Sequence, residues 1–293
     1  MARFGEVITA MATPFDVDGA LDIDGAVTLA RYLADHGSDG LVVAGTTGEA
    51  PTLTDSEHLD LAKAVCEGVT VPVIVGTGSN DTRHAIEMTR KVQDIGADAV
   101  LVVGPYYNRP PQSGIEAHYR AVAAASTLPV VVYDVPGRTG RRIATDVVIR
   151  LGREVPNIVA FKDATGDPPA AAKIVAATPD DFEVYSGDDS LTLALLAVGA
   201  VGVIGVATHW CGVEMGEMIT SFMKGDVIQA REINARLIES YEFSNTDDCV
   251  FSMSVKAMLR TLGVPAGQCR LPLGPAPAGV EDRAREVYGR LHG

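Results

Sequence analysis

The sequence predicts an α/β fold, a (β/α)8 TIM barrel with a small C-terminal helical extension. Three observations carry this reading. Eight short Val- and Ile-rich runs alternate with amphipathic stretches, the alternation stops after Val206, and 293 residues suit one barrel of roughly 250 residues plus an addition. A hydrophobic fraction of 47% supplies the large core such a fold needs.

The strands are expected at Glu6–Ala10, Gly40–Ala44, Val71–Val75, Ala99–Val103, Val130–Asp134, Ile158–Asp163, Glu183–Ser186 and Gly202–Val206. Continuous apolar runs of this length fit parallel strands covered on both faces. Helices between them include Asp22–His36, Ser56–Glu67, Thr82–Ile95, Gly114–Ala125 and Leu191–Val198. Three segments share one shape: His36-Gly37-Ser38-Asp39-Gly40-Leu41, Ile95-Gly96-Ala97-Asp98-Ala99-Val100 and Val198-Gly199-Ala200-Val201-Gly202-Val203. In each, a helix ends at a Gly suited to a left-handed cap and a strand starts three residues later. Eight strands favour closure, with an open doubly wound sheet as the rival. Beyond Val206, Asp226–Phe243, Asp248–Leu262 and Val280–Leu291 read as helices separated by Gly and Pro. The partition is therefore a catalytic barrel at 1–225 and a helical domain at 226–293.

A formal net charge of −14 disfavours nucleic acid and anionic membranes as partners. No apolar stretch approaches the roughly 20 residues of a membrane helix. The opening residues run directly into a strand, so no signal peptide is expected. Cys66, Cys211, Cys249 and Cys269 are scattered, as reduced core thiols are, and a cytoplasmic location is expected. The six histidines show no metal-ligand spacing, and no glycine-rich loop follows the first strand. Neither a metal nor another cofactor is expected.

In a barrel, chemistry sits where strands end and βα loops begin. Lys162 closes the run Ile158-Val159-Ala160-Phe161-Lys162, and alternation puts Ile158, Ala160 and Lys162 on one face, Val159 and Phe161 on the other. With the bulky pair outward, Lys162 points into the barrel. There burial disfavours its charge and leaves an amine able to attack a ketone. The plainer alternative is a structural pair with a carboxylate such as Asp163. Lys63, Lys91, Lys173 and Lys224 have helical or polar surroundings. Tyr133 ends its strand as Lys162 does, and a phenol near a cationic imine can be lowered enough to relay protons, although a core tyrosine is the simpler reading. Thr46-Thr47 between glycines offers donors to a carboxylate, as many βα turns do. Arg138 on a Pro-Gly loop suits a forked contact to a second carboxylate, or is a solvated loop arginine. Tyr106-Tyr107 after Pro105 fits packing or an interface equally well.

Read in order, these segments resemble the dihydrodipicolinate synthase family, within the pyruvate-lyase superfamily that includes N-acetylneuraminate lyase. The likeness runs through Thr13-Pro14-Phe15, Gly45-Thr46-Thr47-Gly48-Glu49, Gly76-Thr77-Gly78-Ser79-Asn80, Pro105-Tyr106-Tyr107-Asn108-Arg109-Pro110, Tyr133-Asp134-Val135-Pro136-Gly137-Arg138-Thr139-Gly140, Lys162-Asp163-Ala164-Thr165-Gly166, Ser186-Gly187-Asp188-Asp189 and Arg270-Leu271-Pro272-Leu273. The resemblance implies a class I, Schiff-base lyase of lysine and diaminopimelate biosynthesis, condensing pyruvate with L-aspartate 4-semialdehyde without a cofactor. It implies that Lys162 forms the imine and that Tyr133, Thr46 and Tyr107 relay protons, with Tyr107 supplied by a neighbouring subunit of a homotetramer. Thr47, the backbone of Ile204, and Gly187 would hold the pyruvate end, and Arg138 the semialdehyde's carboxylate. Neuraminate lyases usually carry an apolar residue at the position of Arg138. A sister aldolase or dehydratase acting on another 2-oxo acid is the alternative. Three departures stand out: Asp134 where Asn is common, His209-Trp210 after the eighth strand, which is expected to reshape the pocket, and the segment around Ala50, Pro51 and Asp55. His84 stands where lysine-inhibited members carry a glutamate, so feedback by L-lysine is expected to be weak.

Overall fold

The computed structural model describes residues 2–293. Eight parallel strands close on themselves in chain order: β1 Val7–Ala10, β2 Gly40–Val43, β3 Val73–Gly76, β4 Ala99–Val103, β5 Val130–Asp134, β6 Ile158–Asp163, β7 Glu183–Ser186 and β8 Gly202–Gly205. The pairing of β1 with β8 excludes the open sheet. Around them lie α1 Ile23–Asp35, α2 Asp55–Gly68, α3 Thr82–Asp94, α4 Gln112–Ala123, α5 Pro136–Thr139, α6 Thr145–Glu154, α7 Pro168–Ala177, α8 Thr192–Leu196 and α9 Thr208–Met223. After Gly225, which takes a positive φ, follow α10 Val227–Ser244, α11 Phe251–Thr261 and α12 Val280–His292.

The strand ends differ from the sequence reading by one or two residues, each for a local reason. Glu6 gives its N–H to the Asp39 carboxylate instead of the ladder. Ala44 turns left-handed at φ 52°, which stops β2 at Val43. Pro72 has no N–H to donate, so β3 starts at Val73. Val206 donates to Asp189, so β8 stops at Gly205. The three echoed glycines, Gly37, Gly96 and Gly199, all have φ between 86° and 103°. Asp22, Asp81, Asp167 and Asp226 accept from first-turn amides of their helices, and Thr54 with Glu57 forms a capping box.

Alternation sorts the strand residues into two layers. Ile8, Val42, Ile74, Leu101, Val131, Tyr133, Ala160, Tyr185 and Ile204 fill the barrel interior, while Val43, Val75, Val102, Val132, Phe161 and Val203 meet the helices. The sequence reading of β6 is corrected at its start. A register shift opposes Val130 to Ile158 but Val131 to Ala160, so Val159 is an extra residue in the strand. Ile158 therefore packs outward and Val159 against the interior, the reverse of simple alternation. Downstream of the bulge, Ala160 inward and Phe161 outward are as expected.

The extension is locked to the barrel by ionic contacts. Lys256 of α11 lies 2.6 Å from Glu49 with both side chains fully buried, and also donates to the Gln268 carbonyl. Lys256 and Arg270 flank the Phe15 ring at 4.1 and 4.2 Å. Arg270 donates its backbone N–H to Glu49 and pairs with Glu57. These contacts hold Glu49 at φ 55°, so the turn after β2 is braced from outside the barrel. Removing one partner leaves the other charge buried and alone. Lys256→Ala should therefore cost about 3–5 kcal/mol in urea unfolding, with part regained in Lys256→Met/Glu49→Gln. A cost no greater than that of surface Lys173→Ala would show that the pair does not brace the fold.

Candidate functional site

The C-terminal ends of β2, β3, β4 and β5 open into a cavity of about 440 Å³. Gly45, Thr46, Leu101, Val103, Tyr133 and Arg138 line it near the barrel axis, and Asp55, His58, His84 and Tyr106 extend it outward. Gly76 belongs to the same rim for a steric reason: a Cβ there would meet the Ala44 carbonyl at 2.4 Å.

Tyr133 and Lys162 are register partners on β5 and β6, so both project inward. The Lys162 Nζ lies 4.4 Å from the centroid of the Tyr133 ring, behind the phenol that forms the cavity wall. Lys162 is 5% exposed, and burial pushes its amine from 10.5 down to about 8, against the nearby charge of Asp189. The structural alternative of a pair with Asp163 is not what forms, because Asp163 accepts instead from the Thr165 amide.

Tyr133 lines the cavity. Burial pushes the resting phenol up to about 12, while the Arg138 charge and the Thr46 hydroxyl pull it down. A lowered phenol thus needs more positive charge beside it than Arg138 supplies at rest. Thr46 lines the cavity with Tyr133, and its hydroxyl favours the ionised phenol. Thr47 is buried in the same turn, Ile204 lies in the barrel interior, and Gly187 leaves room for the Lys162 stem: a Cβ there would meet Lys162 Cγ at 3.0 Å. Arg138 is no solvated loop residue. It faces the cavity with its guanidinium 4.1 Å from the Phe251 ring of α11, and burial lowers its pKa. Tyr107 is not brought to this site within the chain; it is 90% exposed at φ 72°.

Sequence reasoning passed over Asp189, Phe251 and Lys256. Asp189 is buried, accepts from the Val206 and Ala207 amides, and is pushed up to about 6 by burial. Gly205 makes space for it, since a Cβ would fall 2.3 Å from its Oδ1. The Ser186-Gly187-Asp188-Asp189 run was the available signal, with no way to tell which aspartate turned inward. A lysine within Ser254-Val255-Lys256-Ala257-Met258 was the signal for the second charge. His209 and Trp210 do not line the cavity. His209 donates to Val206 O and accepts from Ala12 N, and burial lowers it to about 4; Trp210 donates to Ser240 between α9 and α10. Among the described residues no three His, Cys, Asp or Glu converge to hold a metal ion.

The chain matches the model of the dihydrodipicolinate synthetase family over residues 3–287. The chain belongs to that family. It is 49% identical to the 4-hydroxy-tetrahydrodipicolinate synthase of Acidothermus cellulolyticus, over 97% of this chain and 92% of the relative. The Bacillus subtilis synthase is 46% identical, over 93% and 94%. The dihydrodipicolinate synthase of Cyanidioschyzon merolae, solved with lysine bound, superposes with a TM-score of 0.96 at 44% identity, covering 100% of this chain and 99% of that one. The DapA-2 dihydrodipicolinate synthase of Bacillus anthracis gives 0.93 at 43%, covering 99% of each. This family member is accordingly an aldolase-type lyase.

Its buried amine has a direct test. Competitive acetylation with a small anhydride, read by peptide mass spectrometry, should show Lys162 reacting with a midpoint near pH 8. A midpoint at the ordinary lysine value of about 10.4 would mean the amine is not desolvated.

Proposed function

We propose that this enzyme is a 4-hydroxy-tetrahydrodipicolinate synthase, condensing pyruvate with L-aspartate 4-semialdehyde through an imine on Lys162. The observation that carries the reading is a dry amine, lowered to about 8, set in register with Tyr133 beside a cavity that presents Arg138. The neutral amine attacks the ketone carbon and water leaves. The resulting cation draws electrons from the neighbouring methyl group, which loses a proton to give an enamine. Thr46 and Tyr133 carry the protons, with Tyr107 of a second copy completing the relay in a homotetramer. The iminium adds a fixed positive charge beside the phenol and lowers it. Thr47, Gly187 and the Ile204 backbone hold the pyruvate end. Arg138 takes the acceptor's carboxylate in a forked contact, the enamine attacks its aldehyde carbon, and the acceptor's amine displaces Lys162 by closing the ring. Residues 1–225 form the catalytic barrel and 226–293 the helical domain. No helix is long and apolar enough to cross a membrane among the described residues, and a cytoplasmic place in lysine and diaminopimelate biosynthesis fits this chemistry.

Borohydride reduction with pyruvate should leave one adduct, on Lys162, which Lys162→Ala abolishes. Arg138→Ala should keep that adduct but lose about ten- to a hundredfold in kcat/KM for the semialdehyde, the worth of a charge-assisted fork. An adduct on another lysine removes the nucleophile; unchanged turnover in Arg138→Ala favours the sister aldolase.

Feedback by L-lysine should be weak. The carboxylate nearest that outer branch, Asp55, is already engaged by His84 at 3.0 Å and Lys91 at 4.0 Å. Among the described residues that line the cavity Asp55 is the one carboxylate, so an incoming ammonium group must compete with its present partners. An activity titration showing sub-millimolar inhibition by lysine contradicts this.

A further inference from the structure

One residue beyond Tyr133 and Lys162, β5 and β6 end in Asp134 and Asp163, which are register partners on the outer face of the barrel. Both are buried. Asp134 Oδ2 accepts the Ile143 N–H at 3.0 Å, closing the loop that carries Arg138, while Oδ1 has no hydrogen-bond partner among the described residues. Asp163 Oδ1 accepts from Thr165 at 2.8 Å. The charged and titratable groups facing the two are few. Arg142, before α6, favours ionisation of both but is itself paired with Asp167 at 2.9 Å. Tyr119 of α4 and Tyr133 are neutral phenols pushed upward by burial, and Asp167 adds a further negative charge near Asp163.

We propose that Asp134 and Asp163 share one proton and act together as a positioning pair for the Arg138 loop. The inference rests on Arg138 as the acceptor's carboxylate site. Two adjacent carboxylates in a dry setting do not both ionise readily. Held by Asp134, the proton supplies an O–H toward Asp163, and Oδ2 still receives Ile143. The loop is then tied to both strand ends. Without the proton, two negative charges oppose each other one residue from Tyr133 and Lys162.

Burial moves Asp134 from 3.8 up to about 7. Between those values the native state holds more protons than the unfolded chain, so stability falls as pH rises through that window. Asparagine at 134 keeps an acceptor for Ile143 and an N–H for Asp163, but does not titrate. Two variants of the full chain, Asp134→Asn and Asp134→Ala, test the pair.

The Asn variant should keep the KM for aspartate semialdehyde within about twofold of the parent at pH 6.5, and the Ala variant should raise it about tenfold, the worth of one buried hydrogen bond. Borohydride trapping of pyruvate should survive in both. The Tm difference between the Asn variant and the parent should grow as pH rises from about 4 and level off above about 7. A parental KM in the Ala variant, or a pH-independent Tm difference, overturns the proposal. If the Ala variant does not fold, the Tm comparison decides alone. A parent that never turns over the semialdehyde refutes the acceptor assignment, whereas the Tm difference still reads the shared proton.

Discussion

A cation inside a barrel is the constraint on which the rest of this structure depends. Among the described residues no carboxylate bonds Lys162, so the surroundings set its charge, and desolvation pushes the amine toward neutrality. The neighbouring features follow from keeping it dry and unobstructed. Gly187 spares its stem, Tyr133 covers its Nζ, and Asp189 supplies a negative charge without a direct bond. Asp189 is spent on two backbone amides of the next loop, which keeps it from collapsing onto the lysine.

A second dependence runs through the C-terminal extension. The turn carrying Thr46 and Thr47 ends at a left-handed Glu49, and its carboxylate is held by Lys256 and Arg270. Arg138, on the opposite side of the cavity, rests on Phe251. Both walls of the site are thus supported by residues after 250, although none of those residues lines the cavity itself. Burying the Glu49–Lys256 pair gains little net energy over an apolar contact; its effect is to allow one arrangement of the turn.

The barrel was legible because its signals are local and repeated: apolar runs, glycine caps and carboxylate N-caps recur in each βα unit. Strand ends were less legible, since Ala44 leaves the ladder through a left-handed turn and Val206 for the Asp189 carboxylate 17 residues away. Lys162, Tyr133 and Arg138 stood out as polar groups at the ends of apolar strands or on a Pro-Gly loop. Asp189, Phe251 and Lys256 did not, because their meaning comes from partners 18, 113 and 207 residues away. The resting state of Tyr133 was also illegible: which of burial, Arg138 and Thr46 prevails depends on depth, which a strand pattern does not encode.

The bulge at Val159 makes parity a functional property of β6. Ile158 faces the helices, and in an unbroken strand every second residue would do the same, Lys162 included. The extra residue reverses that phase before the lysine is reached. Loops at the barrel's ends can lengthen or shorten without changing which side chains look inward, but a single-residue gain or loss between 158 and 162 cannot. Lys162 is aimed by a count of residues as much as by their chemistry.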